Sequence, residues 1–139
     1  MIRRLRITDI DSAADIWLDT NIKAHDFIAA QYWLENIETV KEMLAQAEVY
    51  VYEDEGEIQG FIGLNDDYIA GIFVRYAVQS GGIGKQLLDF VKSIKKELHL
   101  NVYQKNMRAI KFYQREKFQI QSEGMDESTG EKEYSMRWM

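Results

Sequence analysis

Between a strand-like run and a helix-like run lies Gln79-Ser80-Gly81-Gly82-Ile83-Gly84-Lys85, and no other stretch restricts the fold as much. Upstream, Ile69-Ala70-Gly71-Ile72-Phe73-Val74 is apolar and carries β-branched residues. Downstream, Ile83, Leu87, Val91, Ile94 and Leu98 recur at helical spacing, with Leu88 widening the stripe. Glycines between a strand and a helix let the backbone turn tightly and approach an anion, while the first N–H groups of the helix are unpaired. The loop therefore reads as a cradle for phosphate or pyrophosphate. It is neither the P-loop pattern, since no Gly-Lys-Ser/Thr follows, nor Gly-x-Gly-x-x-Gly. The alternative reading is a helix N-terminus that three glycines merely cap.

The other elements build around that unit. Ile2 to Ile7 reads as a first strand, with Ile2, Leu5 and Ile7 among arginines. Thr8 and Asp9 suit the N-cap of a helix whose apolar face is Ile10, Ala13, Ala14, Trp17 and Leu18. Ala24-His25-Asp26-Phe27 reads as a kink or short loop. A second helix runs from Ala30, with Trp33, Ile37, Val40 and Leu44 in step. Val49 to Tyr52 and Ile58 to Leu64 form a hairpin around the charged, glycine-containing Glu53–Glu57. Asn65-Asp66-Asp67 turns the chain into the strand Tyr68 to Val74. The long helix is expected to end near His99, followed by a strand from Leu100 to Tyr103 and a short helix from Asn106 to Arg115. Phe118 to Gln121 and Tyr134 to Trp138 read as a terminal hairpin, with Glu123 to Glu133 a solvated acidic loop. The expected fold class is α/β: a mixed central sheet of about seven strands with four helices, antiparallel in its first half and parallel at the glycine loop.

Composition removes several functions. The 139 residues are expected to form a single domain, 1–139, long enough to bury a core. No apolar run reaches the length of a membrane span and no signal peptide is visible, so a cytoplasmic location with no membrane partner is the default expectation. With no cysteine, disulfides, thiolate metal sites and an acyl-cysteine intermediate are excluded. The two histidines, His25 and His99, are far apart, so no metal is expected. A net charge of −6 argues against nucleic acid and suits a cationic amine as acceptor.

A second motif, Asn106-Met107-Arg108-Ala109-Ile110-Lys111-Phe112-Tyr113 followed by Phe118, stands downstream of the loop. The pair Gln-x-x-Gly-x-Gly and Asn-x-x-Ala-x-x-Phe-Tyr resembles the GNAT superfamily of acetyl-CoA-dependent N-acetyltransferases. It is similar above all to small bacterial members with a His25-Asp26-Phe27 run and Tyr103-Gln104-Lys105-Asn106. The order of elements extends the resemblance from Ile2 to Trp138.

The resemblance implies an acyl-CoA N-acyltransferase fold in which the fourth and fifth strands part and the pantetheine arm of acetyl-CoA enters the gap. It implies that the backbone N–H of Ile72 meets the acetyl carbonyl, with Phe73 and Val74 continuing the cofactor edge. Gln79, Ser80, Gly81, Gly82, Ile83, Gly84 and Lys85 would hold the pyrophosphate. Gly81 stands where the family often has Arg or Lys; Lys85, Lys111 and Arg108 are candidates to compensate, or are solvated helix charges. Tyr76 and Lys117 also depart from the pattern, where proline and glycine are usual. Asn106 would cap its helix and touch the pantetheine arm, and Tyr113 would protonate the departing thiolate. His25 is a candidate for substrate contact, lying between the first two helices and having a pKa near neutrality, or a capping residue. Asp67 and Tyr103 are weaker candidates, and no general base is assigned. The implied activity is direct acetyl transfer to a primary amine (lysine side chain, protein N-terminus or small amine) through a ternary complex, by a monomer or homodimer without metal. The alternatives are a regulatory module that binds acyl-CoA without turnover, and an interaction protein on the same fold.

Overall fold

A computed structural model describes residues 1–139 and resolves the apolar runs into one seven-stranded sheet covered by helices on both faces. The chain runs β1 (Ile2–Arg4), α1 (Ile10–Ala24), α2 (Ala30–Glu35), α3 (Ile37–Gln46), β2 (Glu48–Asp54), β3 (Glu57–Asn65), β4 (Tyr68–Val74), α4 (Ile83–Ile94), β5 (Leu98–Tyr103), α5 (Met107–Arg115), β6 (Gln119–Asp126) and β7 (Glu131–Trp138). The sheet order is β1-β2-β3-β4-β5-β7-β6. All neighbours are antiparallel except β4 and β5. A parallel step needs a crossover, which α4 supplies.

Strand alternation sorts the side chains into two cores. Val49 and Val51 of β2, with Ile58 and Phe61 of β3, pack under Ala13, Ala14 and Ile16 of α1 and Leu44 of α3. The intervening Tyr50 and Tyr52 face the other side, where Ile62, Ile69, Leu98, Leu100 and Met136 meet Leu87, Leu88 and Val91 of α4 and Ile110 of α5. Leu87 and Leu88 are completely buried; truncating either to alanine would cost about 2–5 kcal/mol.

Four local expectations are revised. The second expected helix is two, because Asn36 turns its side-chain amide back onto the Tyr32 carbonyl at 2.6 Å and interrupts the spiral; the helix count is therefore five. The long helix stops at Ile94, since Leu98 alternates with Leu100 and Val102 into the core as strand residues. β1 ends at Arg4, and Ile7–Asp9 is a single 3-10 turn. Asp9 does occupy the N-cap of α1, but its carboxylate accepts from the Arg6 N–H at 2.7 Å and from Arg3 instead of capping α1. Lastly, Glu123 to Glu133 is mostly strand, closed by a turn before Gly130 at φ +76°. β6 is an exposed edge strand without a fully buried residue, so no apolar alternation marked it.

Candidate active site

β4 pairs with β5 only through Tyr68↔His99 and Ile69↔Leu100. Beyond Ile69 the two strands part, and one edge of β4 is left without a strand partner. The register shows which backbone groups face the gap. Arg75 N–H donates to the Gln59 carbonyl across the β3–β4 ladder, so Phe73, two residues earlier, also bonds to β3. Ile72 and Val74 then point their N–H and C=O groups away from β3, and the Val74 carbonyl accepts from the Gln79 side chain at 2.9 Å. The side chains alternate correspondingly: Ile72 and Val74 lie on the α4–α5 face, whereas Phe73 packs toward α1 with its ring 5.0 Å from Phe61. Phe73 thus offers the gap neither side chain nor ladder groups.

A cavity of about 730 Å³ occupies the gap and runs to the start of α4. Ile72, Val74, Gln79, Ser80, Gly82, Ile83, Gly84, Lys85, Asn106 and Tyr113 all line it, which unites the two motifs from either side of β5. Phe73, Gly81 and His25 are not in its wall. The N–H of Gly81 is occupied by the Val78 carbonyl at 3.4 Å. No backbone or side-chain acceptor takes the N–H groups of Gly82, Ile83, Gly84 and Lys85, and the first bond inside the helix is Gln86 N–H to the Gly82 carbonyl. Gly82 caps α4 at φ +86°, a left-handed conformation that suits glycine, and a β-carbon there would meet nothing within 4 Å. These features fit a phosphorylated ligand: free N–H groups, the positive end of a helix, and open space before them.

Cations converge on the same space. Lys23, Lys85, Lys105, Arg108 and Arg115 line the cavity, against Glu116 as its only carboxylate, in a protein of net charge −6. Arg108 is fixed over the loop, donating to the Gln79 Oε1 at 2.9 Å and the Ser80 hydroxyl at 3.1 Å. It brings to the glycine loop the positive charge that Gly81 lacks. Lys85 instead pairs with Asp89 and Glu116, and Lys111 does not line the cavity. Lys23 carries no motif signal, and Lys105 lies in the Tyr103–Asn106 run without being singled out there as a cation of the site; the fold brings both here.

The Tyr113 ring is buried between Phe112 and Phe118, at centroid distances of 5.3 and 5.5 Å. Its hydroxyl makes no hydrogen bond within the protein, yet it is not among the enclosed polar atoms that lack a partner, so the oxygen reaches the cavity. Burial, with a smaller contribution from Tyr68, pushes its pKa well above the ordinary tyrosine value, so the group is a neutral phenol that can donate.

His25 is bonded at both ring nitrogens, Nδ1 to Asn21 Oδ1 and Nε2 to Asn106 Nδ2, each at 3.0 Å. Burial lowers its pKa to about 4, so it is neutral at physiological pH. Asn106 Oδ1 caps α5 by accepting the Ala109 N–H at 3.2 Å. Of the weaker candidates, Asp67 pairs with His99 at 3.0 Å and the Tyr103 hydroxyl donates to Asp126 at 2.6 Å. No group of three or more His, Cys, Asp or Glu side chains is placed to hold a metal ion, and no helix is long and apolar enough to cross a membrane.

Residues 45–120 match the family model of the acetyltransferase (GNAT) domain. The chain is 34% identical to the peptidyl-lysine N-acetyltransferase YiaC of Escherichia coli K12, over 99% of this chain and 96% of that protein. Its fold superposes on the solution structure of apo YjaB from Escherichia coli with a TM-score of 0.88, at 26% identity over 99% and 95% of the two chains. It also superposes on yncA of Salmonella typhimurium, whose structure holds its cofactor acetyl-CoA, with a TM-score of 0.70 at 15% identity over 99% and 92%.

Proposed function

Because this chain belongs to the GNAT family of acetyltransferases, we propose that it transfers the acetyl group of acetyl-CoA directly to the side-chain amine of a protein lysine, in a ternary complex. The observation that carries the reading is the unpaired edge of β4, which leads along one cavity to the open N-terminus of α4. An extended amide arm can add to such an edge through main-chain hydrogen bonds, as a strand would. A pyrophosphate then meets the N–H groups of Gly82 to Lys85 and the charge of Arg108.

Each residue has a defined task in this reaction. The Ile72 N–H donates to the acetyl carbonyl oxygen and stabilises negative charge there as the amine adds; a donor of this kind contributes ~3 kcal/mol to the transition state. Val74 holds the arm through its backbone, and Asn106 through its side-chain amide. Tyr113 gives its proton to the sulfur as the carbon–sulfur bond breaks, which its burial favours by keeping the phenol protonated. The proton that the added amine nitrogen sheds passes to solvent water, from which Tyr113 is reprotonated. The lysine acceptor is proposed from the likeness to YiaC over nearly the whole chain, and the acidic protein surface suits a cationic partner.

Two measurements test the reading. Calorimetric titration with acetyl-CoA should give binding, with free coenzyme A and ATP as controls, and a panel of lysine peptides and small amines should show turnover on the peptides. Absence of acetyl-CoA binding by the folded protein overturns the cofactor, and turnover on small amines alone overturns the acceptor.

A further inference from the structure

His25 lies outside the cavity wall, yet it is bonded to a residue in it. Its connections form a chain of hydrogen bonds with both ends anchored in backbone. Asn21 Nδ2 donates to the Trp17 carbonyl at 2.8 Å, which turns Asn21 Oδ1 toward the imidazole. Asn106 Oδ1 accepts from the Ala109 N–H, which turns Asn106 Nδ2 toward the imidazole from the other side. The ring therefore faces an acceptor at Nδ1 and a donor at Nε2. Only the neutral form with its proton on Nδ1 satisfies both. Phe27, Trp33 and Tyr103 surround the ring at centroid distances of 5.6, 5.6 and 5.0 Å. Tyr103, the titratable one among them, gives its hydroxyl to Asp126, and Lys105 lies over Phe27 with Nζ 5.3 Å from the centroid.

We propose that His25 is a positioning residue for the acyl-thioester cofactor: as the Nδ1–H tautomer it fixes the Asn106 amide at the cavity wall, leaving one Nδ2 hydrogen for an amide carbonyl of the bound arm. The proposal rests on the function proposed above, and it links the loop after α1 to the cofactor side of the molecule. Protonation at Nε2 would set a donor against a donor and release Asn106. The depressed pKa that burial gives His25 keeps this from occurring in the neutral range.

Long-range 1H–15N spectra of the imidazole in the full-length protein test the tautomer without any ligand. The expected result is an Nδ1–H signal that does not titrate around the ordinary midpoint of about 6.5; an Nε2–H signal, or titration there, overturns the proposal. Acetyl-CoA calorimetry tests the positioning. His25→Phe keeps the aromatic packing but removes both polar contacts, and should raise Kd about 10-fold, with kcat at saturating acetyl-CoA nearly unchanged. His25→Gln, which can present an acceptor to Asn106, should recover most of that loss. Unchanged affinity in folded His25→Phe overturns the positioning role. Should His25→Phe not fold, a wild-type tautomer as expected together with near wild-type affinity in His25→Gln supports it, and a Gln variant impaired about 10-fold overturns it. Wild-type protein that does not bind acetyl-CoA overturns the proposed function and the ligand half of this inference, whatever the ring signals show.

Discussion

Tyr113 has its ring locked by Phe112 and Phe118 while its hydroxyl has no protein partner. Removing that oxygen therefore leaves packing and internal hydrogen bonds intact. Tyr113→Phe should lower kcat about 100-fold, as expected for loss of a general acid, with little change in acetyl-CoA affinity by calorimetry or in the thermal midpoint. Arg108 works in the opposite way. It is exposed, so its bonds to Gln79 and Ser80 add little to stability, but they hold a cation over the glycine loop. Arg108→Ala should raise Kd for acetyl-CoA about 5-fold and leave the unfolding midpoint within error. Asn106 as the cap of its helix was legible from local rules. Tyr113 stood out only through the resemblance of the Asn-x-x-Ala-x-x-Phe-Tyr motif, because periodicity alone reads it as an apolar-face residue beside Ile110. The partners of Arg108 could not, because Gln79 and Ser80 approach it only through the packing of α5 beside the loop.

Among the elements, the junction of β4 with α4 is the one on which the site depends. Gly82 is held at φ +86° with open space before it, so a side chain there costs backbone strain of about 1 kcal/mol and also covers the anion end of the helix. Gly82→Val should therefore lower stability by that amount in denaturant titration and weaken acetyl-CoA binding by a much larger factor. The entry to α1 shows a second kind of control. Arg3 donates to Asp9 at 2.7 and 3.2 Å and to Glu53 at 2.7 Å, joining β1, the turn before α1 and the end of β2. Hydrogen bonds from Arg3, assisted by the Arg6 N–H and opposed by burial, hold the Asp9 carboxyl below the usual carboxylate range. A depressed folded-state pKa gives stability that is present at neutral pH and is lost as pH falls through that pKa. Asp9→Asn should thus cost about 2 kcal/mol at neutral pH, and the gap between variant and wild type should narrow as the solution is acidified below the carboxylate range. Element boundaries were the least legible part. Leu98 satisfies helical spacing with Ile94 and strand alternation with Leu100 equally well, and only its place beside Trp138 in the ladder decides. β6 carried no pattern because it buries nothing, and its pairing with β7 is what makes it a strand.

For the molecule as a whole, net charge and local charge have opposite sign where it matters. The chain carries −6, yet five Lys and Arg side chains line the cavity. Long-range repulsion between an acidic protein and a phosphorylated ligand is screened by salt, while the near attraction at the loop is also weakened. Because the cavity cations lie closest to the ligand, attraction should dominate. Kd for acetyl-CoA should rise several-fold between about 0.01 and 0.15 M salt, and a fall over that range would mean that the overall charge prevails. The general base has no local signature in the chain, and His25 is neutral with both ring nitrogens engaged by protein partners.

The amino-acid sequence by itself determined what depends on neighbours along the chain. It set the strand–glycine–helix unit, the N-cap of α5 by Asn106, and the apolar stripes that bring α4 and α5 onto one face of the sheet. These follow from backbone sterics, capping and periodicity, all of which act within a few residues. Tertiary structure decided where β4 parts from β5, which only the family resemblance had implied. It alone decided the gathering of cations around a cavity in an acidic protein and the conversion of His25 from an ionisable candidate into a neutral bridge. Each of these depends on residues far apart in sequence, 81 positions in the case of His25 and Asn106, whose partners and loss of water are set only when the sheet and its two helical layers close together.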